Sequence, residues 1–160
     1  MRLLIIAYTL NGFFNRSPSV IKATTVHLRT TTMATNNATM SPNLVSIPEV
    51  EIDPQGVFKY ILMRVYDDAG DGTPNKLVVR GTIKGAYHAD IFEMFLEGAH
   101  KLKLDCDVLG GGRMNHDPEN KKLKIYGYSQ GFGKADHNVT ASVLKKVYPD
   151  YTFECSDEGY

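Results

Sequence analysis

Cysteine is scarce, and its placement excludes several kinds of site. Cys106 and Cys155 are the only two in 160 residues and form no Cys-x-x-Cys pair. Neither a zinc motif nor a disulfide framework is signalled, and reduced thiols in a cytosolic-type compartment fit best. Acidic residues are absent from the first 48 positions, which hold Arg2, Arg16, Lys22 and Arg29. The remainder keeps 14 of the 18 basic residues against all 18 acidic ones. A mildly acidic body with scattered lysines is a poor match for a nucleic-acid backbone, so no nucleic-acid partner is expected. No heptad or large amphipathic face implies an oligomer, and a monomer is expected.

Long apolar runs are lacking too. LLIIAYTLNGFF is too short and interrupted to span a bilayer, and it makes a weak secretory core behind a single arginine. An Arg-bearing, hydroxyl-rich, acid-free leader is closer to a mitochondrial presequence, and the plain alternative is a poorly ordered extension bypassed by a start at Met33. Residues 1–45 are therefore read as a poorly ordered or targeting extension and 46–160 as one domain, with no membrane association and a cytoplasmic location unless the leader acts.

What is present becomes regular from Ile47. VFKYILMRVY (57–66) reads as a strand covered on both sides, with Lys59 and Arg64 on opposite faces. DDAGDGTPN (67–75) is a loop, and LVVRGTI (77–83) a second strand. His88, Ile91, Phe92, Phe95, Ala99 and Leu102 then recur at three- and four-residue steps, which is a helical seam. Asp90 followed by Glu93 places the helix start near Ile91, and the end falls around Lys103. CDVLGGGRMNH and KKLKIYGYS, joined by DPEN, read as a hairpin. Val139, Val143, Leu144 and Val147 mark a second helix stopped by Pro149, and YTFECS a last strand. The order predicts an α/β domain with one mixed sheet and two packed helices, one on each face or both on one.

Two segments carry chemistry. His88 lies at the entry of its helix, where unpaired amides and the dipole disfavour imidazolium and attract anions. A neutral imidazole there serves as base or nucleophile, and the plain alternative is a buried histidine satisfied by a backbone carbonyl. YGYSQGFGKADH (126–137) passes through three glycines into a helix that Asp136 can cap, outlining an anion cradle. It is not a Walker loop, since Lys134 is followed by alanine. LGGGR (109–113) suggests a bulge or close backbone contact, with Arg113 a surface charge. Lys59 either reaches out to water along its stem or aims at an anion.

VFKY, VRG, YHADIFE, GGGR, KIYGYSQGFGKADH, YPDY and SDEGY, in that order, resemble the janus family, which includes the protein histidine phosphatases. The resemblance spans about residues 46–160 and is nearest to the insect branch. It implies a compact α/β domain that removes phosphate from phosphohistidine in proteins, using no metal, no cofactor and no cysteine nucleophile. It implies His88 as the catalytic residue, Lys59 as the substrate anchor, and Ser129, Gln130 and Gly131 as the phosphate loop. Vertebrate members differ at the positions of Gln130 and Gly131, so that role rests on backbone amides. Arg80 and Arg113 match family positions and carry at most an electrostatic role; His100, His116 and His137 carry none. The competing class is a regulatory protein that binds phosphohistidine without turnover, linked to sexual differentiation.

Overall fold

The computed structural model describes residues 39–67 and 74–157. The leader as far as residue 38, most of the 67–75 loop and the last three residues of SDEGY lie outside the described residues. Within them the order is α1 (Pro42–Ser46), β1 (Val50–Ile52), β2 (Gly56–Tyr66), β3 (Asn75–Thr82), α2 (His88–Lys101), β4 (Asp105–Asp117), β5 (Lys122–Tyr126), α3 (His137–Lys145) and β6 (Thr152–Cys155).

These strands make one mixed sheet in the order β1-β3-β2-β4-β5-β6. The β2, β3, β4 and β5 pairings are antiparallel; β1 runs parallel to β3 and β6 to β5. The parallel β5–β6 pair follows from α3, since a parallel neighbour needs a crossover long enough to return the chain.

Alternation along β2 settles where the helices lie. Ile61, Met63 and Val65 join Ile91, Phe95 and Ala99 of α2 in one buried cluster. Phe58, Tyr60 and Leu62 join Val143 and Leu144 of α3 in another. One long helix therefore covers each face, and β2 is apolar on both sides because both are buried. Burying a side chain such as Ile91 or Phe95 stabilises the domain by roughly 1.5–3 kcal/mol each. Lys59 falls on the α2 face.

Several boundaries differ from the sequence reading. The folded body reaches back past residue 46: Ser41 caps α1, accepting from the Leu44 amide at 3.1 Å, and Leu44 is fully buried beside Ile47. Ser followed by Pro is the signal that marks this start. Helix α2 begins at His88, three residues before the expected start. Asp90 is the third helical residue, and its carboxylate reaches back to the Tyr87 amide at 2.8 Å, so it acts from inside the helix. Helix α3 ends at Lys145, leaving Val147 half exposed in the turn instead of on the seam. Asp136 does cap α3, accepting from the Asn138 and Val139 amides at 2.9 and 3.0 Å. DPEN closes the β4–β5 hairpin, with Asp117 accepting from the Asn120 amide at 3.1 Å.

Candidate active site

Three glycines in β4 prepare the place where His88 sits. At Gly110 the backbone is left-handed (φ +136), and the register slips between Leu62 and Met63, leaving Leu109 as the extra residue of a bulge. Gly111 is hydrogen-bonded to the 126–137 loop: its amide donates to the Gly133 carbonyl at 3.0 Å, and its carbonyl accepts from the Ala135 amide at 3.1 Å. A Cβ at position 111 would lie 2.8 Å from His88 Cδ2, 3.2 Å from Ser129 Cβ and 2.7 Å from the Tyr60 carbonyl oxygen. Glycine here lets the imidazole and the loop serine flank one point on the strand. The close contact suggested by LGGGR is thus the floor of the site.

His88 is held through one nitrogen. Its Nε2 lies 2.9 Å from the Gly112 carbonyl oxygen, and since a carbonyl only accepts, Nε2 carries the proton. That assignment makes Nδ1 the unprotonated nitrogen. Both readings of His88 therefore hold together: a backbone carbonyl satisfies it, and that bond leaves a base on the other side of the ring. Burial pushes its pKa down from the ordinary histidine value, and Lys59 and Arg113 push it further the same way, against the Gly112 hydrogen bond.

The loop is folded so that a few amides stay available. The Ser129 amide donates to the Gly133 carbonyl at 3.2 Å, the Gly133 amide returns to the Ser129 carbonyl at 2.9 Å, and Ser129 Oγ accepts from the Phe132 amide at 3.2 Å. The Ser129 amide is thus engaged within the loop, while its hydroxyl keeps a proton to donate. Among the described residues the amides of Gln130 and Gly131 have no protein partner. Phe132 meets the edge of Phe92 on α2 with ring centroids 5.7 Å apart, which ties the loop to the helix that starts at His88.

These groups share a cleft of about 600 Å³, lined by Lys59, His88, Arg113, Ser129, Gln130 and Gly131, with Tyr87 and Tyr128 at its sides. Lys59 and Arg113 stand directly opposite each other across β2 and β4, so both project from the same face. Among the described residues no acidic side chain lines the cleft. Two cations, two unpaired amides and a hydroxyl converge on a space beside a neutral imidazole, an arrangement suited to an anion that undergoes attack at its centre.

Arg80 is not brought there. It is buried under α2 in a separate groove, with Nε 2.8 Å from Glu51, Nη1 and Nη2 donating to the Val79 and Pro48 carbonyls at 2.9 and 2.8 Å, and Phe95 beneath the guanidinium. Its charge is spent on joining β1 to β3, so the electrostatic role implied for it is not exercised in the cleft. The other histidines among the described residues are elsewhere. His137 pairs with the Tyr60 hydroxyl at 2.7 Å on the α3 face, His116 donates from Nδ1 to the Asp53 carbonyl at 2.9 Å, and His100 is exposed in the last turn of α2. Sequence reasoning missed the part of Gly112, whose carbonyl orients His88; the run of three glycines was its only trace.

Residues 44–152 match the model of the Janus/Ocnus family (Ocnus). The sex-regulated protein janus-A of Drosophila melanogaster is 52% identical over 117 residues, covering 73% of this chain and 84% of that protein. The janus-A of Drosophila pseudoobscura pseudoobscura is 51% identical over 120 residues, 74% of this chain and 80% of that protein. The 14 kDa phosphohistidine phosphatase of Sus scrofa is 44% identical over 121 residues, covering 74% and 96% of the two chains. Matched along its folded body by the family model and by these relatives, the chain belongs to the Janus/Ocnus family.

Proposed function

We propose that this protein is a protein histidine phosphatase, hydrolysing the P–N bond of phosphohistidine in other proteins. The observation that carries the reading is the pairing of a neutral, Nε2-anchored His88 with a cation-flanked cleft whose Gln130 and Gly131 amides are unengaged. The 14 kDa phosphohistidine phosphatase relative supports the substrate class.

The phosphoryl oxygens lie against the Gln130 and Gly131 amides and the Ser129 hydroxyl, with Lys59 and Arg113 balancing their charge. Phosphoryl transfer asks a protein chiefly for such positioning and charge stabilisation. His88 Nδ1 accepts a proton from water as the water oxygen bonds to phosphorus. The P–N bond breaks, its electron pair stays on the substrate imidazole, and the proton passes from His88 to that nitrogen. Every group in the step belongs to this chain, its substrate or water. The site of action we propose is the cytoplasm.

The test is release of phosphate from a phosphohistidine-bearing protein in the presence of a chelator. Wild-type turnover is expected to continue, and His88→Ala to fall by about 10² to 10⁴ while remaining folded. Binding without release in the wild type would favour the regulatory, non-catalytic reading; loss of turnover with chelator would overturn the mechanism.

A further inference from the structure

The half of the sheet that α2 leaves uncovered runs on from the cleft. Lys59 on β2 stands opposite Arg113 on β4, and these form the first row at the cleft wall. One pleat further out, Val57 stands opposite Asn115, Asn115 opposite Lys124, and Lys124 opposite Glu154. A third row pairs Asp117 with Lys122. The intervening residues of these strands, Phe58, Met114, Leu123 and Ile125, are buried beneath α3, so the outward rows belong to the opposite face. They are open: Val57 is 46% exposed, and the Lys122 and Lys124 side chains 48% and 41%.

The face is basic. It carries four cations, Lys59, Arg113, Lys122 and Lys124, against the carboxylates of Asp117 and Glu154. Glu154 is shared between Lys122 and Lys124 at 2.8 and 2.9 Å, which holds its pKa down at about 2, and Asp117 is turned to Asn120. Counted over all three rows, four cations stand against two carboxylates, so the face is positive by two with the excess at the Lys59 and Arg113 end, although the chain as a whole is neutral.

We infer that this open sheet face is the docking platform for the substrate protein, and that it selects an acidic segment beside the phosphorylated histidine. The inference rests on the phosphatase reading for what the cleft holds and extends it to the partner's surroundings. Continuity with the cleft argues for the occupant: a chain whose phosphoryl group lies between Lys59 and Arg113 meets the next row directly when it runs along the open sheet. Sheet geometry puts Lys124 roughly 8 Å from Arg113 and Lys122 about 7 Å beyond. An extended chain advances about 3.3 Å per residue, so the carboxylates belong roughly two to five positions from the phosphohistidine.

Two labelled peptides test this, each with one central phosphohistidine and either glutamates or glutamines at those positions. Binding to the full chain carrying His88→Ala is read by fluorescence anisotropy. The acidic peptide is expected to bind roughly threefold to tenfold tighter, with the advantage shrinking as salt is raised. Lys122→Gln with Lys124→Gln should bring the ratio of affinities toward one. Glu154→Gln should enlarge it, an outcome that damage to the fold would not produce. Equal affinities, or an unchanged ratio in the double variant, overturn the platform. Hydrolysis of phosphoramidate by the wild type is followed in parallel, because so small a substrate reads the cleft alone. No hydrolysis with the ratio intact sinks the phosphatase reading and leaves the platform; hydrolysis with a ratio of one does the reverse.

Discussion

The most exacting consequence of the geometry concerns a residue with no side chain. In Gly111→Ala the new Cβ would lie 2.7 Å from the Tyr60 carbonyl oxygen, 2.8 Å from His88 Cδ2 and 3.2 Å from Ser129 Cβ. Ordinary carbon contacts need about 3.5–4.0 Å, so something must move by up to about 1 Å. The Tyr60 carbonyl belongs to the β2–β4 ladder and yields least. The imidazole, held mainly by its single bond to the Gly112 carbonyl, yields most. Overpacking of this kind costs about 1–3 kcal/mol of stability. A shift of about 1 Å in a catalytic group costs about 10²-fold in rate, equivalent to about 2.7 kcal/mol in the barrier. Thermal unfolding and kcat/KM on a phosphohistidine protein should therefore both fall, with kcat/KM measured at a temperature where the variant is folded. A folded variant within about threefold of wild-type kcat/KM would refute the argument that the strand sets the position of the imidazole.

Other expectations follow from neighbouring residues. Gly98 lies in α2 with nothing within 4 Å of the place a Cβ would take, so Gly98→Ala should raise stability by roughly 0.5–1 kcal/mol and leave kcat/KM unchanged; a lower Tm would contradict it. The depressed pKa of His88 predicts that kcat/KM climbs with pH through a value below about 6.5 and then levels. Arg113→Ala, which removes one repelling cation, should move that limb to higher pH, and an unmoved limb would deny the coupling. For stability the sign is the same: burial depresses the pKa of both His88 and His137, so their contribution is complete above about pH 6.5 and is lost as pH falls through their folded values. Urea midpoints at several pH values check this. Arg80→Met should cost stability, roughly 1–3 kcal/mol from hydrogen bonds to the Val79 and Pro48 carbonyls, while kcat of the folded protein stays near wild type; a collapse in kcat would return Arg80 to the chemistry.

Much of the fold is legible in the sequence because local rules and burial agree. The seam from His88 to Leu102 and the Asp136 cap each depend on residues close in sequence, and the structure keeps both. Element starts are less legible where a side chain reaches backward: Asp90 bonds an amide three residues before it, which looks in sequence like a cap at its own position. Strand β1 leaves no sequence signal, since three residues with mixed burial carry no periodicity and exist as a strand only through pairing with β3.

Residue type and spacing, which act over a few positions, are enough to establish the alternation that buries both faces of β2, the glycine-rich turn into a capped helix, and the histidine at the start of α2. Which charges meet is a property of the folded chain. Arg80 and Arg113 look alike as isolated arginines in apolar strands, yet pairing puts Arg113 opposite Lys59 at the cleft and Arg80 against Glu51 beneath α2. The same holds for which nitrogen of His88 is free, since that depends on a carbonyl 24 residues away reaching the ring across the sheet. Electrostatics and hydrogen bonding act through space over a few ångströms, and only the assembled sheet brings residues so distant in sequence to that range.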